Sequence, residues 1–222
     1  MIKPDAVFFD LDGTLLDTAE DLLEALNFVL SKHNYNKITL AELLPHISLG
    51  SKSIIKNLLK LEHHETQLNI FRAEFINAYN TLGHTHTKLF SGIPEVLNFL
   101  NHHKIPWGII TNKLVSLTDP IIKLFELDKL QCQTVVCADT TAHAKPHPAP
   151  MLKACENINV KPENCIFIGD ALTDIQAGQA VNMQTILAAY GYIPYDQDIN
   201  TWGADKTIQS PSELLELLDL LN

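Results

Sequence analysis

Two spacings of apolar residues divide this chain. Short unbroken runs end at a polar residue or a turn: "DAVFF" (5–9), "IPWGIIT" (105–111), "QTVVCA" (133–138), "CIFIGD" (165–170) and "QTILAAY" (184–190). Runs this short, bounded by turn residues, predict buried strands rather than helices. Elsewhere the apolar residues recur every three or four positions. "TAEDLLEALNFVL" puts Leu22, Leu23, Leu26, Val29 and Leu30 on one stripe, and "SKSIIKNLLKL" and "ETQLNIFRAEFINAY" repeat the pattern. Such stripes are amphipathic helices. Asp17 with Glu20 predicts a capping box at the start of the first helix.

The order of the elements predicts the architecture. One strand comes first, and no strand-like run follows between Leu15 and Thr87. After that, strands and helices alternate. Gly92 and Pro94 open a helix, others start near Pro148 and Leu172, and "SPSELLELLDLLN" is a capped tail helix. Alternation predicts a parallel sheet with right-handed crossovers and helices on both faces. The expected fold is therefore α/β, a Rossmann-like core at 1–16 and 88–222 with a helical domain at 17–87 inserted after the first strand.

Composition narrows the function. The 222 residues are 46% hydrophobic and 19% charged, ordinary for a globular protein, with a formal net charge of -10. An acidic chain repels phosphate backbones, so no nucleic-acid partner is expected. A small anionic substrate stays open, because a metal and one or two lysines invert the field locally. Cys132, Cys137, Cys155 and Cys165 form no C-x-x-C pair and read as reduced thiols. No signal peptide or bilayer-length apolar run is seen, so a cytoplasmic protein with no membrane partner is expected, as a monomer or homodimer.

In a parallel sheet, ligands bind beyond the carboxyl ends of the strands. The residues expected there are Asp10, Asp12, Thr111, Lys145, Asp170 and Asp174. Asp10 and Asp12 are two apart in extended backbone and project to the same side. Carboxylates crowded together call for a cation, and a hard ion with oxygen ligands, Mg²⁺, meets that need. A phosphate wants a lysine and hydroxyl or backbone donors; Lys145, Thr111 and the turn at Gly13 supply them. One carboxylate, the metal-bridged Asp10, can then attack phosphorus, while Asp12 moves the proton. D-x-D-G-T fixes four identities, a chance match of roughly one in a thousand at this length.

"DLDGT" (10–14), "ITN" (110–112), "AKPHP" (144–148) and "GDALTD" (169–174) resemble the four motifs of the haloacid dehalogenase superfamily of phosphohydrolases, and the resemblance covers nearly the whole chain. It implies Asp10 as nucleophile, Asp12 as general acid/base, and Thr111, Asn112 and Lys145 as phosphate ligands. It implies Mg²⁺ held by Asp10, the Asp12 main-chain carbonyl and Asp170, with Gly13 and Asp174 in support. The insert at 17–87 is placed like the family's cap domain. Within the superfamily the chain is similar to phosphoglycolate phosphatases. "TKLFSGIPEVL", "WGIITNK" and "YGYIPYDQDINTWGAD" are also similar to N-acetylmuramic acid 6-phosphate phosphatases of cell-wall sugar recycling, "INTWGAD" (199–205) above all.

Residues outside the four motifs also bear on the chemistry. In "SLGSKS" (48–53) a helix starts after Gly50, and its free N–H groups with Lys52 could take a polar substrate group. His84 and His86 read as a polar hinge rather than a metal pair. His143 and His147 flank Lys145 within reach of a substrate. The expected function is a Mg²⁺-dependent phosphomonoesterase acting on a small phosphorylated metabolite. A sugar phosphomutase on the same fold is the second enzyme reading. A phospho-receiver module also gathers Asp, Thr and Lys at strand ends, but lacks D-x-D-G-T and an inserted cap.

Overall fold

The computed structural model describes residues 3–220. The chain begins with β1 (Ala6–Phe9) and β2 (Leu16–Asp17), followed by the helices α1 (Ala19–Lys32), α2 (Leu40–Leu43), α3 (Gly50–Leu59) and α4 (Glu65–Leu82). A 3-10 turn at Leu44–Leu49 joins α2 to α3. Then come β3 (Lys88–Leu89), α5 (Ile93–His102), β4 (Trp107–Ile110), α6 (Val115–Leu124), β5 (Cys132–Val136) and α7 (Ala149–Ile158). The chain continues through β6 (Cys165–Gly169), α8 (Leu172–Gln179), β7 (Gln184–Ala188), β8 (Lys206–Ile208) and α9 (Pro211–Asp219).

Six strands form one sheet in the order β5-β4-β1-β6-β7-β8, and every pairing is parallel. The α/β core expected from the alternation is present. β1 lies inside the sheet, paired on one side with β4 and on the other with β6. Its four side chains are fully buried and alternate between faces: Val7 and Phe9 enter one apolar cluster, Ala6 and Phe8 the other. Burying both faces explains the continuous apolar run, and each enclosed Phe contributes roughly 2–3 kcal/mol relative to exposure. The strand ends of β1, β4 and β6 therefore meet at one edge of the sheet.

The helices α1 to α4 pack on one another through Leu22, Leu26, Leu30, Ile54, Ile55, Phe71 and Phe75, all buried. Three details differ from the sequence expectation, while the helix start at Gly50 is met. β2 pairs antiparallel with β3, so a two-residue ribbon closes the base of the helical block where no strand was expected. The Asp17–Glu20 capping box does not form. Thr18 is the N-cap of α1 and its side chain makes no cap hydrogen bond; the hydroxyl of Tyr192 instead accepts from the N–H groups of Thr18 (2.7 Å) and Ala19 (3.1 Å). "SLGSKS" enters α3 through the 3-10 turn, with Gly50 at φ +80°. β8 is an additional edge strand, too short and polar to show in the apolar pattern. No helix among the described residues is long and apolar enough to cross a membrane.

Candidate active site

The first turn after β1 is set by its glycine. Gly13 adopts φ +85°, and a Cβ there would lie 2.1 Å from Asp170 Oδ2. Only glycine lets this backbone press against the acid that ends β6. Asp10 follows β1 directly, held by its N–H donating to the Ile168 carbonyl at 2.8 Å. Asp170 follows β6, and Asp174 stands one turn along α8, where its Oδ2 accepts from the Ala171 N–H at 3.0 Å.

Lys145 lies at the centre. Its Nζ is 2.9 Å from Asp10 Oδ1 and 2.7 Å from Asp174 Oδ1, and donates to the Ile110 carbonyl at 2.6 Å. Asp10, Asp170 and Asp174 are buried and each turns a carboxylate oxygen to within 4.8 Å of the others. Burial pushes the Asp10 carboxyl up to about 7, with Asp174 and Asp12 adding to the rise and Lys145 opposing it. Burial, then Asp10 and Asp174, drive Asp170 up as well. Burial alone would lower Lys145, but the two acids outweigh it and raise it. Three carboxylates thus face one ammonium. This donor set, hard oxygens with surplus negative charge, fits a Mg²⁺ ion.

Asp12 has separate partners. Its Oδ1 accepts from the Thr18 hydroxyl at 2.6 Å and from Lys113 Nζ at 3.0 Å. Lys113 is also buried and donates to the Tyr79 hydroxyl of α4 at 3.2 Å, with its ammonium 4.5 Å from the ring centre. Burial works against the charge of Lys113, yet Asp12 and Tyr79 raise its pKa. The two acids of D-x-D therefore occupy different surroundings: Asp10 faces the carboxylate cluster, Asp12 a lysine.

The loop after β4 supplies the remaining groups. Thr111 Oγ1 accepts from the Lys113 N–H at 3.1 Å, which leaves its own proton to donate. The Asn112 side chain is engaged with main chain. Its Oδ1 accepts from the Lys145 N–H at 3.0 Å, and its Nδ2 faces the carbonyls of Lys145 (3.1 Å) and Ser48 (3.3 Å). Asn112 thus fixes the Lys145 segment and joins it to the helical block. Gly50 approaches the same loop: a Cβ on it would lie 2.9 Å from the Asn112 carbonyl oxygen. Lys52 is exposed, while the neighbouring Ser51 is buried and accepts from Arg72 Nε at 3.1 Å.

His143 and His147 are exposed and lie ring to ring at 4.3 Å. His84 packs against Tyr79, and the His86 ring faces Glu20 and Glu24 on the surface. The hinge is held by Asp21, a buried acid of α1 that accepts from the N–H groups of His86 and Thr87 and from the Thr87 hydroxyl. The four cysteines are free.

Sequence reasoning passed over Lys113, Thr18, Asp21 and Tyr192. Lys113 directly follows Thr111–Asn112, and its position at a strand end was the available signal. Tyr192 gave none, since its role depends on where the chain returns. Its N–H donates to Asp170 Oδ2 at 2.8 Å and its hydroxyl donates to Asp17 Oδ1 at 3.0 Å.

Two cavities lie where the helical block meets the core. One, of about 20 Å³, is bordered by Asp12, Gly50, Ser51 and Lys113. The other, of about 160 Å³, lies between the 3-10 turn and the segments after β6 and β7.

Comparison with known proteins gives a consistent likeness. A family model described as haloacid dehalogenase-like hydrolase matches residues 7–188. A phosphoglycolate phosphatase of Xylella fastidiosa is 37% identical over 208 residues, covering 94% of this chain and 90% of the relative. An N-acetylmuramic acid 6-phosphate phosphatase of Pseudomonas putida is 32% identical over 214 residues, covering 96% of each. A crystal structure from Haemophilus somnus, titled a "predicted phosphoglycolate phosphatase", superposes with a TM-score of 0.87 at 24% identity, over 98% of this chain and 99% of that one, a likeness of fold.

Proposed function

The chain belongs to the haloacid dehalogenase-like hydrolases, and from that premise we propose that it is a Mg²⁺-dependent phosphomonoesterase acting on a small phosphorylated metabolite through an aspartyl-phosphate. The observation that carries this reading is the division of the two acids. Asp10 stands with Asp170, Asp174 and Lys145, while Asp12 is held apart by Lys113 and Thr18.

The roles follow from those surroundings. Asp10, Asp170 and the Asp12 carbonyl would hold Mg²⁺, with Asp174 in support. When bound, the ion neutralises the carboxylates and the phosphoryl oxygens. Lys145 and the free proton of Thr111 bind the phosphate, helped by the backbone N–H of Asn112, whereas the Gly13 N–H is spent within its own turn on the Leu16 carbonyl at 2.9 Å. A carboxylate oxygen of Asp10 attacks phosphorus, and the bond to the leaving oxygen breaks as Asp12, a carboxylate in the free protein and protonated in the substrate complex, donates its proton there. Asp12, now a carboxylate, takes a proton from water as that water attacks the acyl phosphate. The phosphorus–Asp10 bond breaks, releasing phosphate and restoring both acids. The segment 17–87 acts as a cap that excludes bulk water.

The test is phosphate release from p-nitrophenyl phosphate with and without Mg²⁺. The native chain should need the ion, and Asp10→Asn should lose activity by about a thousandfold or more. Turnover that survives the substitution would remove the nucleophile, and turnover in chelator would remove the metal. For the substrate, phosphoglycolate is the first reading. N-acetylmuramic acid 6-phosphate is the second, favoured by the 190–205 segment, whose Trp202 borders the larger cavity. A phosphomutase would instead return the phosphoryl group to a sugar hydroxyl, so free phosphate is the discriminating product.

A further inference from the structure

The segment after β7 presses on several parts of the site at once. Gly191 packs so closely that a Cβ on it would lie 2.2 Å from the Gly13 carbonyl oxygen and 2.4 Å from Asp170 Cβ. The Tyr190 hydroxyl donates to the Thr14 carbonyl at 3.0 Å. Tyr192, buried, then reaches two places that lie far apart in sequence. Its N–H meets Asp170 Oδ2, and its hydroxyl meets the start of α1.

We propose that Tyr192 is a positioning residue for proton transfer: its hydroxyl fixes the start of α1 so that Thr18 orients Asp12, while its main chain holds Asp170. The inference rests on the phosphomonoesterase reading and deepens it. The first argument is a hydroxyl with no capacity left. A phenol offers one proton and two lone pairs. The Tyr192 proton goes to Asp17 Oδ1 at 3.0 Å, and its lone pairs accept from the N–H groups of Thr18 and Ala19 at 2.7 and 3.1 Å. Those are two of the N–H groups that a helix start leaves unpaired. One hydroxyl thus pins three consecutive residues, Asp17 to Ala19, where the chain passes from the core into the helical block.

The second argument is where the Thr18 side chain goes. A threonine at an N-cap ordinarily turns its oxygen back to the N–H groups of its own helix. Thr18 makes no such bond and donates to Asp12 Oδ1 at 2.6 Å instead. Lys113 Nζ lies 3.0 Å from Asp12 Oδ1 and 3.2 Å from Oδ2, so it scarcely distinguishes the two oxygens. Thr18 does distinguish them, because it bonds Oδ1 and leaves Oδ2 the freer to carry a proton. With the Tyr192 hydroxyl gone, residues 17–19 lose their anchor, and the Thr18 rotamer that reaches Asp12 loses its support.

The experiment measures kcat/KM for an aryl phosphate, p-nitrophenyl phosphate, and for the faster of two alkyl phosphates, 2-phosphoglycolate and N-acetylmuramic acid 6-phosphate. p-Nitrophenolate leaves with little help from an acid, whereas an alkoxide needs the proton. Tyr192→Phe keeps the ring and the N–H on Asp170. It should lower kcat/KM for the alkyl phosphate by about tenfold more than for the aryl phosphate, with half-saturation by Mg²⁺ unchanged. Thr18→Val should lower the same alkyl-to-aryl ratio, and Thr18→Ser, which keeps the hydroxyl, should not. Adding Tyr192→Phe to Thr18→Val should lower the ratio little further, because both act through one contact. Tyr190→Phe, which removes a hydroxyl from the same segment, is the control and should leave the ratio as it is. Thermal midpoints establish which variants fold, and Thr18→Val decides if Tyr192→Phe does not. An equal loss on both substrates, with or without weaker Mg²⁺ binding, overturns the positioning role and leaves the phosphatase standing. So does a ratio unmoved by Tyr192→Phe or Thr18→Val, a ratio that Tyr190→Phe lowers as far, or turnover of p-nitrophenyl phosphate alone. Release of phosphate from none of the three substrates overturns the phosphatase reading and this inference with it.

Discussion

Replacing Lys113 with Met tests the division between the two acids. The side chains of Lys113 and Asp12 are only 3% and 9% exposed and meet at 3.0 Å. Methionine preserves most of the apolar stem but removes the ammonium. Asp12 would then be a buried carboxylate with the Thr18 hydroxyl as its remaining side-chain donor. Breaking a buried pair from one side costs about 3–5 kcal/mol, because the surviving charge loses its partner. Asp12→Asn should cost a similar amount by stranding Lys113, whose other side-chain contact is Tyr79. The double variant removes both charges and should be far milder than the sum. Urea unfolding of all four proteins at pH 7.5 closes the cycle, with an expected coupling of at least about 2 kcal/mol. The surface pair Lys129–Glu126, 69% and 60% exposed, is the control: Lys129→Met should leave the urea midpoint essentially unchanged. A loss under about 1 kcal/mol for Lys113→Met, or single effects that add to within about 0.5 kcal/mol, would refute the argument.

Three further outcomes follow from the site. In the metal-free protein Asp10 holds its proton to about 7, against 3.8 ordinarily, so it contributes stability at low pH that is lost as pH rises from about 4 towards 7. Binding Mg²⁺ must displace that proton, so apparent affinity should weaken about thirtyfold from pH 8 to pH 5.5. An equal Mg²⁺-induced rise in Tm at the two values would contradict it. Gly13→Ala drives a methyl to 2.1 Å from Asp170 Oδ2, so kcat/KM should fall by about a hundredfold with circular dichroism intact; near-native turnover would show that the turn tolerates the shift. Asp21→Asn weakens the acceptor of the His86 and Thr87 N–H groups and should cost about 1–3 kcal/mol, seen as a fall of about 5 °C in Tm; an unchanged Tm would mean that the hinge does not need the charge.

The sheet was legible because β1, β4 and β6 are buried on both faces, which forces continuous apolar runs that nothing else in the chain imitates. Asp10, Asp12, Lys145 and Asp170 were legible for a related reason: charged residues directly after such runs, or in the loops joining them, stand out from the pattern. β2 was hidden because two residues have no period. The start of α1 was misread because local capping rules compete with distant donors and acceptors, and here the Tyr192 hydroxyl, 174 positions from Thr18, took the place of the Asp17 carboxylate. Lys113 was hidden for the opposite reason. A lysine near a strand end is ordinarily solvated, and only the packing of α4 against the loop after β4 buries it.

That loop shows how three consecutive residues can link chemistry to the helical block. Thr111 steadies the Lys113 N–H through its hydroxyl oxygen. Asn112 holds the Lys145 main chain with both ends of its amide and reaches Ser48 across the seam. Lys113 holds Asp12 on the core side and Tyr79 on the helical side. The contacts within the core are buried and charged, or doubled; those across the seam are single and neutral at the acceptor. Lifting the helical block would break Asn112–Ser48, Lys113–Tyr79 and Asn80–Ser116 at about 1 kcal/mol each, and expose the apolar side chains shared by block and core, while Lys145–Asp10 and Lys113–Asp12 persist.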